Sequence, residues 1–231
     1  MKIIAHMESD FPTKFGIPHQ SGRLEGLKGR IVFLPEYRRA EAFTGIEDYT
    51  YLWIIWEFSQ AVRREWSPTV RPPRLGGNIR KGVFATRSPY RPNPVGLSSV
   101  RLDRLELDPR LGPVLYVSGA DLMDGTPIYD IKPYLPYVDS HPDGRGGFTD
   151  EILDHRLEVV FPEELLEKIP EGKRQVLLEV LANDPRPGYH RDPERMYGMP
   201  FGDQDIHFQV DGGLLRVRSV TRYEKDGERE R

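Results

Sequence analysis

The sequence predicts a mainly β chain, an antiparallel β-barrel followed by a small α+β C-terminal domain. Three observations lead there. Segments of strand character dominate the first 140 residues without alternating with helices, which argues against a doubly wound parallel sheet. Gly and Pro, at 22 and 21 residues, supply the tight turns that many short strands need. The 11 Tyr, 10 Phe and 3 Trp give enough aromatic bulk to anchor a β-rich core.

The elements follow in chain order. Leu27 to Leu34 reads as a strand, and Pro35 then opens a short helix over Glu36 to Phe43, since proline is favoured in a first helical turn. Tyr49 to Phe58 (YTYLWIIWEF) is aromatic and β-branched, carries no charge between Tyr49 and Glu57, and is expected at the centre of the core. Ser67 to Asn78 (SPTVRPPRLGGN) is a loop by its three prolines and two glycines. Val95 to Leu107 alternates in part, as a half-buried strand does, and Val114 to Val117 is a further strand that turns near Asp124-Gly125-Thr126-Pro127. Ser140 to Thr149 (SHPDGRGGFT) is turn-rich and marks the expected boundary between a barrel domain, 1–145, and a C-terminal domain, 146–231. Beyond it come a strand over Leu157 to Phe161 and a short helix from Pro162. A second helix over Gly172 to Leu181 places Val176, Leu177, Val180 and Leu181 on one face, and two strands over Ile206 to Val210 and Leu214 to Val220 close the fold.

Composition excludes several function classes. With no Cys there is no disulfide framework, thiolate metal site or cysteine nucleophile. No apolar run approaches the length of a membrane span and the N-terminus lacks a signal-peptide core, so the cytoplasm is the expected location. The net charge of −3 is unevenly spread: from Arg63 to Arg101 nine cations face one anion, Glu65, a local balance of +8. Eight of the nine are Arg, the better bidentate partner for phosphate and carboxylate, which suggests an anion or nucleic-acid site; a surface balanced by acidic neighbours is the plainer explanation.

Three segments carry possible chemistry. Arg87-Ser88-Pro89-Tyr90-Arg91-Pro92-Asn93-Pro94 is stiffened by three prolines and projects two arginines, which suits a site that must hold a polar ligand at little entropic cost. Asp121, Asp124 and Asp130 lie within ten residues, without the spacing of a calcium loop; turn capping and the binding of ligand hydroxyl or ammonium groups both fit. Gly16-Ile17-Pro18-His19-Gln20 holds a lone histidine, and with six His and no HExxH or His-x-His pair no metal is expected. GxGxxG, GxxxxGK[ST] and GxSxG are all absent, so a nucleotide-bearing cofactor would bind outside the common phosphate cradles. From the residues alone, the reading ends at a β-barrel with a rigid, basic, polar site for RNA or a nucleotide.

The same segments resemble the TsaA-like (YaeB-like) family, and within it the TrmO-type tRNA (adenine-N6)-methyltransferases. The resemblance rests on Lys14 to Gln20 (KFGIPHQ), Arg71 to Asn78 (RPPRLGGN), Gly82 to Ser98 (GVFATRSPYRPNPVGLS), Asp121 to Tyr137 (DLMDGTPIYDIKPYLPY) and Leu181 to Tyr189 (LANDPRPGY), and covers nearly the whole chain. It implies N6-methylation of threonylcarbamoyladenosine beside the tRNA anticodon, with S-adenosylmethionine as cofactor, by a homodimer that holds the cofactor near the subunit interface. It also implies cofactor contacts at Pro18, His19, Gln20, Ser59, Gln60, Arg87, Leu97, Gly119, Ala120, Asp121 and Leu122. Arg91 and Asn93 would lie close by on the substrate side, and Arg186 and Tyr189 in the C-terminal domain that helps hold tRNA. Three positions depart from the family pattern: His19 where Arg is usual, Tyr51 where His precedes Leu-Trp, and Ser59 where His precedes Gln. Asp124 and Asp130 are the residues to weigh as a general base, against structural roles in turns. A same-family enzyme acting on another RNA or a small molecule, and a non-catalytic RNA- or nucleotide-binding barrel, are the rival readings.

Overall fold

The computed structural model describes residues 1–18, 21–22, 24–62, 65–72, 75, 78–152, 156–186 and 192–224. Its first half closes into a six-stranded antiparallel barrel. The strands are β1 (Ala5–Ser9), β2 (Lys28–Phe33), β3 (Tyr51–Glu57), β6 (Val95–Asp108), β7 (Gly112–Ser118) and β8 (Pro127–Pro133), and the two-residue strands β4 (Thr69–Val70) and β5 (Lys81–Gly82) form a separate small ribbon. Around the barrel the order is β1-β2-β7-β6-β3-β8, with β8 returning to pair with β1. Closure leaves no free edge, and each strand turns alternate side chains inward. Leu52, Ile54 and Trp56 of β3 point in and meet Met7, Ile31, Val100, Leu115, Val117 and Ile128, all buried.

Two local features shape the wall. Asp103 is an extra residue in β6, between Leu102 and Arg104 in the pairing with β7, and its carboxylate accepts from Ser118 Oγ at 2.5 Å and Lys28 Nζ at 2.9 Å. Such a bulge sharpens the twist that a small barrel needs. Gly96 of β6 sits opposite Trp56 of β3, and the indole lies across it: a Cβ at Gly96 would be less than 3.0 Å from three ring atoms.

The expected helix over Glu36 to Phe43 is instead two 3-10 turns, Pro35–Tyr37 and Ala40–Phe43. The break falls at Arg38 and Arg39. Arg39 is extended, and Arg38 turns its guanidinium away to donate to Phe33 O at 2.8 Å and Arg110 O at 3.3 Å. Phe43 then reaches the barrel and meets Phe33 edge-on at 4.8 Å.

A short helix, α1 (Pro136–Asp139), follows the barrel. Beyond it β9 (Glu158–Val160), α2 (Glu163–Leu166), α3 (Glu171–Ala182), β10 (Tyr197–Phe201), β11 (Gln204–Asp211) and β12 (Leu214–Arg222) build a sheet of order β10-β11-β12-β9 with α3 packed on it. Val176, Leu177, Val180 and Leu181 are the buried face of α3, as their spacing predicts, and they join Met199, Phe201, Ile206, Phe208 and Leu215 of the sheet in one core. Phe11, Leu24 and Leu27, from the stretch between β1 and β2, enter the same core, so the early chain binds the two halves together. Each fully buried side chain of this size contributes roughly 1.5–3 kcal/mol, which makes that seam a structural contact.

Candidate functional site

The residues that could do chemistry gather at one end of the barrel, where the turn after β7 meets the stretch before β2 and the loop before β6. Gly119 ends β7 with φ +76, a conformation that favours glycine, and its carbonyl accepts from Gly22 N at 2.9 Å. That contact brings residues 21–22 against 119–122. Asp121 follows, half-buried, and its carboxylate is the centre of the site. Ser98 Oγ donates to Asp121 Oδ1 at 2.6 Å, and Trp56 Nε1 donates to Ser98 Oγ at 2.9 Å. Ser98 is buried, so the barrel wall itself fixes the carboxylate. The backbone N–H groups of Ser21 and of Asp121 also bond the carboxylate, and Ser21 Oγ accepts from Ser99 N at 3.1 Å.

Burial raises the pKa of Asp121 above the ordinary carboxylate value, and it outweighs the Ser98 bond, the backbone bonds and the charge of Arg87, all of which lower it. A carboxylate kept against its own desolvation where three segments meet makes Asp121 the candidate centre of a site. Arg87, exposed on the neighbouring loop, supplies the positive charge felt there.

That loop is held by Arg91. Its Nε donates to Ser88 O at 2.8 Å, and its Nη2 donates to Val83 O at 3.3 Å and to Thr86 O. Arg91 thus pins the segment that presents Arg87, and its Nη1 has no hydrogen bond among the described residues. Phe58 N donates to Pro94 O at 2.8 Å, so the exposed 3-10 turn carrying Ser59 and Gln60 is tied to the same loop.

The sequence matches two family descriptions, tRNA-methyltransferase O N-terminal domain over residues 6–140 and TrmO C-terminal domain over residues 154–223. The chain belongs to the TrmO family. The Escherichia coli (strain K12) tRNA (adenine(37)-N6)-methyltransferase is 38% identical over 215 residues, covering 90% of this chain and 91% of the relative. A putative S-adenosylmethionine-dependent methyltransferase of Pseudomonas aeruginosa is 39% identical over 227 residues, with 94% and 96% covered. Among solved structures, the crystal structure of TrmO from P. aeruginosa superposes with a TM-score of 0.77 at 33% identity, covering 96% of this chain and 95% of that one. The mainly β barrel fold and membership of an enzyme family, as the sequence motifs imply, are thereby established.

Within this TrmO-family enzyme, the consecutive Gly119, Ala120, Asp121 and Leu122 meet residues 21–22, and the charge of Arg87 reaches Asp121. Ala120 and Leu122 are buried. Leu97 lies on the opposite face of β6 from Ser98 and is exposed. Asn93 is exposed, and its carbonyl accepts from Val95 N at 2.7 Å. Arg186 pairs in bidentate fashion with Asp184, Nε to Oδ1 at 2.8 Å and Nη2 to Oδ2 at 2.9 Å, beside the Tyr197 ring in the second half. His19, Gln20 and Tyr189 lie outside the described residues, as do Arg63, Arg64 and Arg74 of the basic segment. Tyr51, one of the three departures from the family pattern, packs edge-on against Tyr134 at 6.2 Å. Asp124 accepts from Ser9 N at 3.2 Å, and Asp130 lies within β8, 3.0 Å from Lys132 Nζ.

Trp56 and Ser98 escaped the sequence reading, which treated the first as core and the second as the end of a motif. The available signal was the indole: a buried Trp needs an N–H partner, and on a strand paired with Gly96-Leu97-Ser98 the serine is the polar side chain on the inward face.

Proposed function

We propose that the chain transfers a methyl group from S-adenosylmethionine to N6 of N6-threonylcarbamoyladenosine next to the anticodon of tRNA, as a cytoplasmic homodimer. The observation that carries the reading is the wall-fixed Asp121 carboxylate with Arg87 beside it. S-adenosylmethionine offers an ammonium group and ribose hydroxyls, which need an acceptor, and a carboxylate, which needs a cation. Asp121 and Arg87 are that pair, and Gly119 to Leu122 with Pro18, His19, Gln20, Ser59, Gln60 and Leu97 would frame it. Bound there, the cofactor supplies a methyl group on a sulfonium, open to in-line displacement.

The remaining work is positional. Arg91 keeps Arg87 in place and leaves Nη1 for a substrate carboxylate or phosphate. N6 of this nucleoside lies between the purine and a carbonyl, so its proton is already acidic and alignment with desolvation supplies much of the rate. Asp124 is engaged by a backbone N–H and Asp130 by Lys132, which favours structural roles for both over general-base roles. Residues 146–231, including Arg186 and Tyr189, would form the domain that helps hold tRNA.

The test incubates purified protein and S-adenosylmethionine with tRNA carrying or lacking the threonylcarbamoyl group, followed by mass spectrometry of the nucleosides. Methylation confined to the threonylcarbamoylated tRNA supports the reading. Methylation of both, or of neither, moves the substrate to another RNA or a small molecule. Absence of saturable cofactor binding would leave an RNA- or nucleotide-binding barrel.

A further inference from the structure

Loop 83–94 carries a second feature that cofactor binding does not use. Trp66 and Phe84 lie face to face, ring centroids 5.9 Å apart and planes 29° from parallel, yet they are 48% and 77% exposed. Aromatic side chains this exposed are unusual, and these are held outward by rigid backbone. Phe84 sits in a 3-10 turn whose first residue, Val83, is buried. Val83 N donates to Pro68 O at 3.0 Å, and Val83 O accepts from Thr86 Oγ1 at 2.9 Å as well as from Arg91. Next to Trp66, Ser67 N donates to Tyr90 O at 3.3 Å and Ser67 Oγ to Thr69 O at 2.5 Å.

The ribbon that carries the pair is basic, with Glu65, beside Trp66, as the one acidic residue between positions 65 and 84. Among the described residues no carboxylate lies within ion-pair distance of Arg71, Arg80 or Lys81. Lys81 lies in the β4–β5 ribbon that leads into this turn, its Nζ 5.8 Å from the centre of the Phe148 ring. Arg71 and Arg80 flank the ribbon, with Arg80 Nη1 donating to Thr69 Oγ1 at 3.2 Å. Phe84 also stands three residues before Arg87, a span of at most about 10 Å even in extended chain. The patch therefore borders the Asp121 site.

We propose that Trp66 and Phe84, at the end of a ribbon that carries Arg71, Arg80 and Lys81, form a stacking platform for an unpaired base of the RNA substrate, adjacent to the base being modified. Flat aromatic faces bind unpaired bases whatever their sequence, and neighbouring cations hold the phosphates between them. A second copy of the chain is the weaker occupant. A two-fold contact centred here would set the cations of one copy against those of the other. The platform rests on the reading of the substrate as tRNA, and it adds how a neighbouring base is held.

The test is a fluorescence-anisotropy titration of the full chain with labelled anticodon stem–loop RNA, alongside calorimetry with S-adenosylmethionine. W66A/F84A should bind RNA about tenfold or more weakly while cofactor affinity stays at the wild-type value. W66F, which keeps a ring, should retain RNA affinity but lose the quenching of tryptophan emission that RNA causes in the wild type. Unchanged RNA affinity in W66A/F84A overturns the platform; if light scattering also shows a drop to monomer, the patch is an interface between copies. Cofactor and RNA affinity lost together would mean that the loop has collapsed, and would overturn it too. A wild-type protein that binds no RNA defeats the tRNA reading first, and the platform with it.

Discussion

Replacing Asp121 with Asn should leave the enzyme at least as stable as the wild type at neutral pH while removing most of its cofactor affinity. Asn has nearly the same shape, and its carbonyl oxygen can still accept from Ser98 Oγ. What it lacks is the charge, and burial holds the folded-state pKa of that charge above its ordinary value. At pH below the ordinary carboxylate range, Asp121 is neutral in both folded and unfolded chains and costs nothing. As pH rises from the ordinary value toward the raised one, the unfolded chain gives up its proton first, and the wild type loses stability relative to D121N. Within that window the slope is about 1.4 kcal/mol per pH unit, and in a chain of this size about 1 kcal/mol moves Tm by roughly 2–4 °C. Melting curves of both proteins from about pH 4 to about pH 8 should therefore diverge with D121N on the stable side, and the gap should level off above the raised pKa. Calorimetry at neutral pH should show S-adenosylmethionine binding weakened by roughly ten- to 150-fold, the equivalent of about 1.5–3 kcal/mol for a hydrogen bond to a charged group. A D121N protein that falls below the wild type as pH rises would refute the reasoning, because it would make the charge a stabilising element.

Four further substitutions probe the frame around that carboxylate and the second half. S98A strands the buried Trp56 N–H at a cost of about 1–3 kcal/mol and removes a bond that lowers the Asp121 pKa. The acid limb of its pH–activity profile should move to higher pH, and an unmoved limb with unchanged stability would count against the hydrogen-bond chain from Trp56 through Ser98 to Asp121. G96A forces a methyl into the Trp56 ring and should cost about 1–3 kcal/mol in urea unfolding, whereas a neutral result would mean that the indole is free to shift. R91K keeps the charge but cannot reproduce a fork over three carbonyls, so cofactor and RNA affinity should fall together by about tenfold or more; retention of both would show that the prolines alone hold the loop. D184N keeps a residue tolerant of φ 52 while removing the charge that meets Arg186, whose side chain is 11% exposed. It should cost roughly 1.5–3 kcal/mol in urea unfolding, and D184N/R186M should recover most of that; equal losses in the two would deny the pairing its energetic role.

The barrel was legible where side chains alternate and illegible where they do not. β3 and β6 show their period in the sequence, and α3 shows its helical face. β1 is five residues of mixed polarity, AHMES, and β8 opens and closes on proline, which reads as turn chemistry until the neighbouring strands are in place. Proline is tolerated at both ends because the ladder there is finishing. Leu97 and Ser98 adjoin in a motif, yet the pleat sends them to opposite faces, and sequence adjacency cannot show that. Arg91 and Arg186 were legible as cations but not as partners: one spends its donors on its own loop, the other on Asp184.

The missing phosphate cradle and the buried carboxylate belong to one argument. S-adenosylmethionine carries no phosphate, so its recognition requires no glycine-rich turn at a helix N-terminus; it requires a fixed acceptor for ammonium or hydroxyl groups and a cation for a carboxylate. A closed barrel can fix an acceptor more firmly than a flexible loop, because Ser98 and Trp56 sit in paired strands that cannot move independently. The cost is a desolvated charge, which Ser98, the Ser21 N–H and Arg87 reduce without cancelling. Cofactor binding would extend that compensation, so the apo site should be the less stable state, and ligand should raise Tm most where the charge is fully developed. The thermal shift caused by S-adenosylmethionine should therefore grow as pH rises through the raised folded-state pKa of Asp121, level off above it, and be nearly flat with pH in D121N. A shift independent of pH in the wild type would separate Asp121 from the cofactor and return the site to Arg87 and the backbone of Gly119 to Leu122.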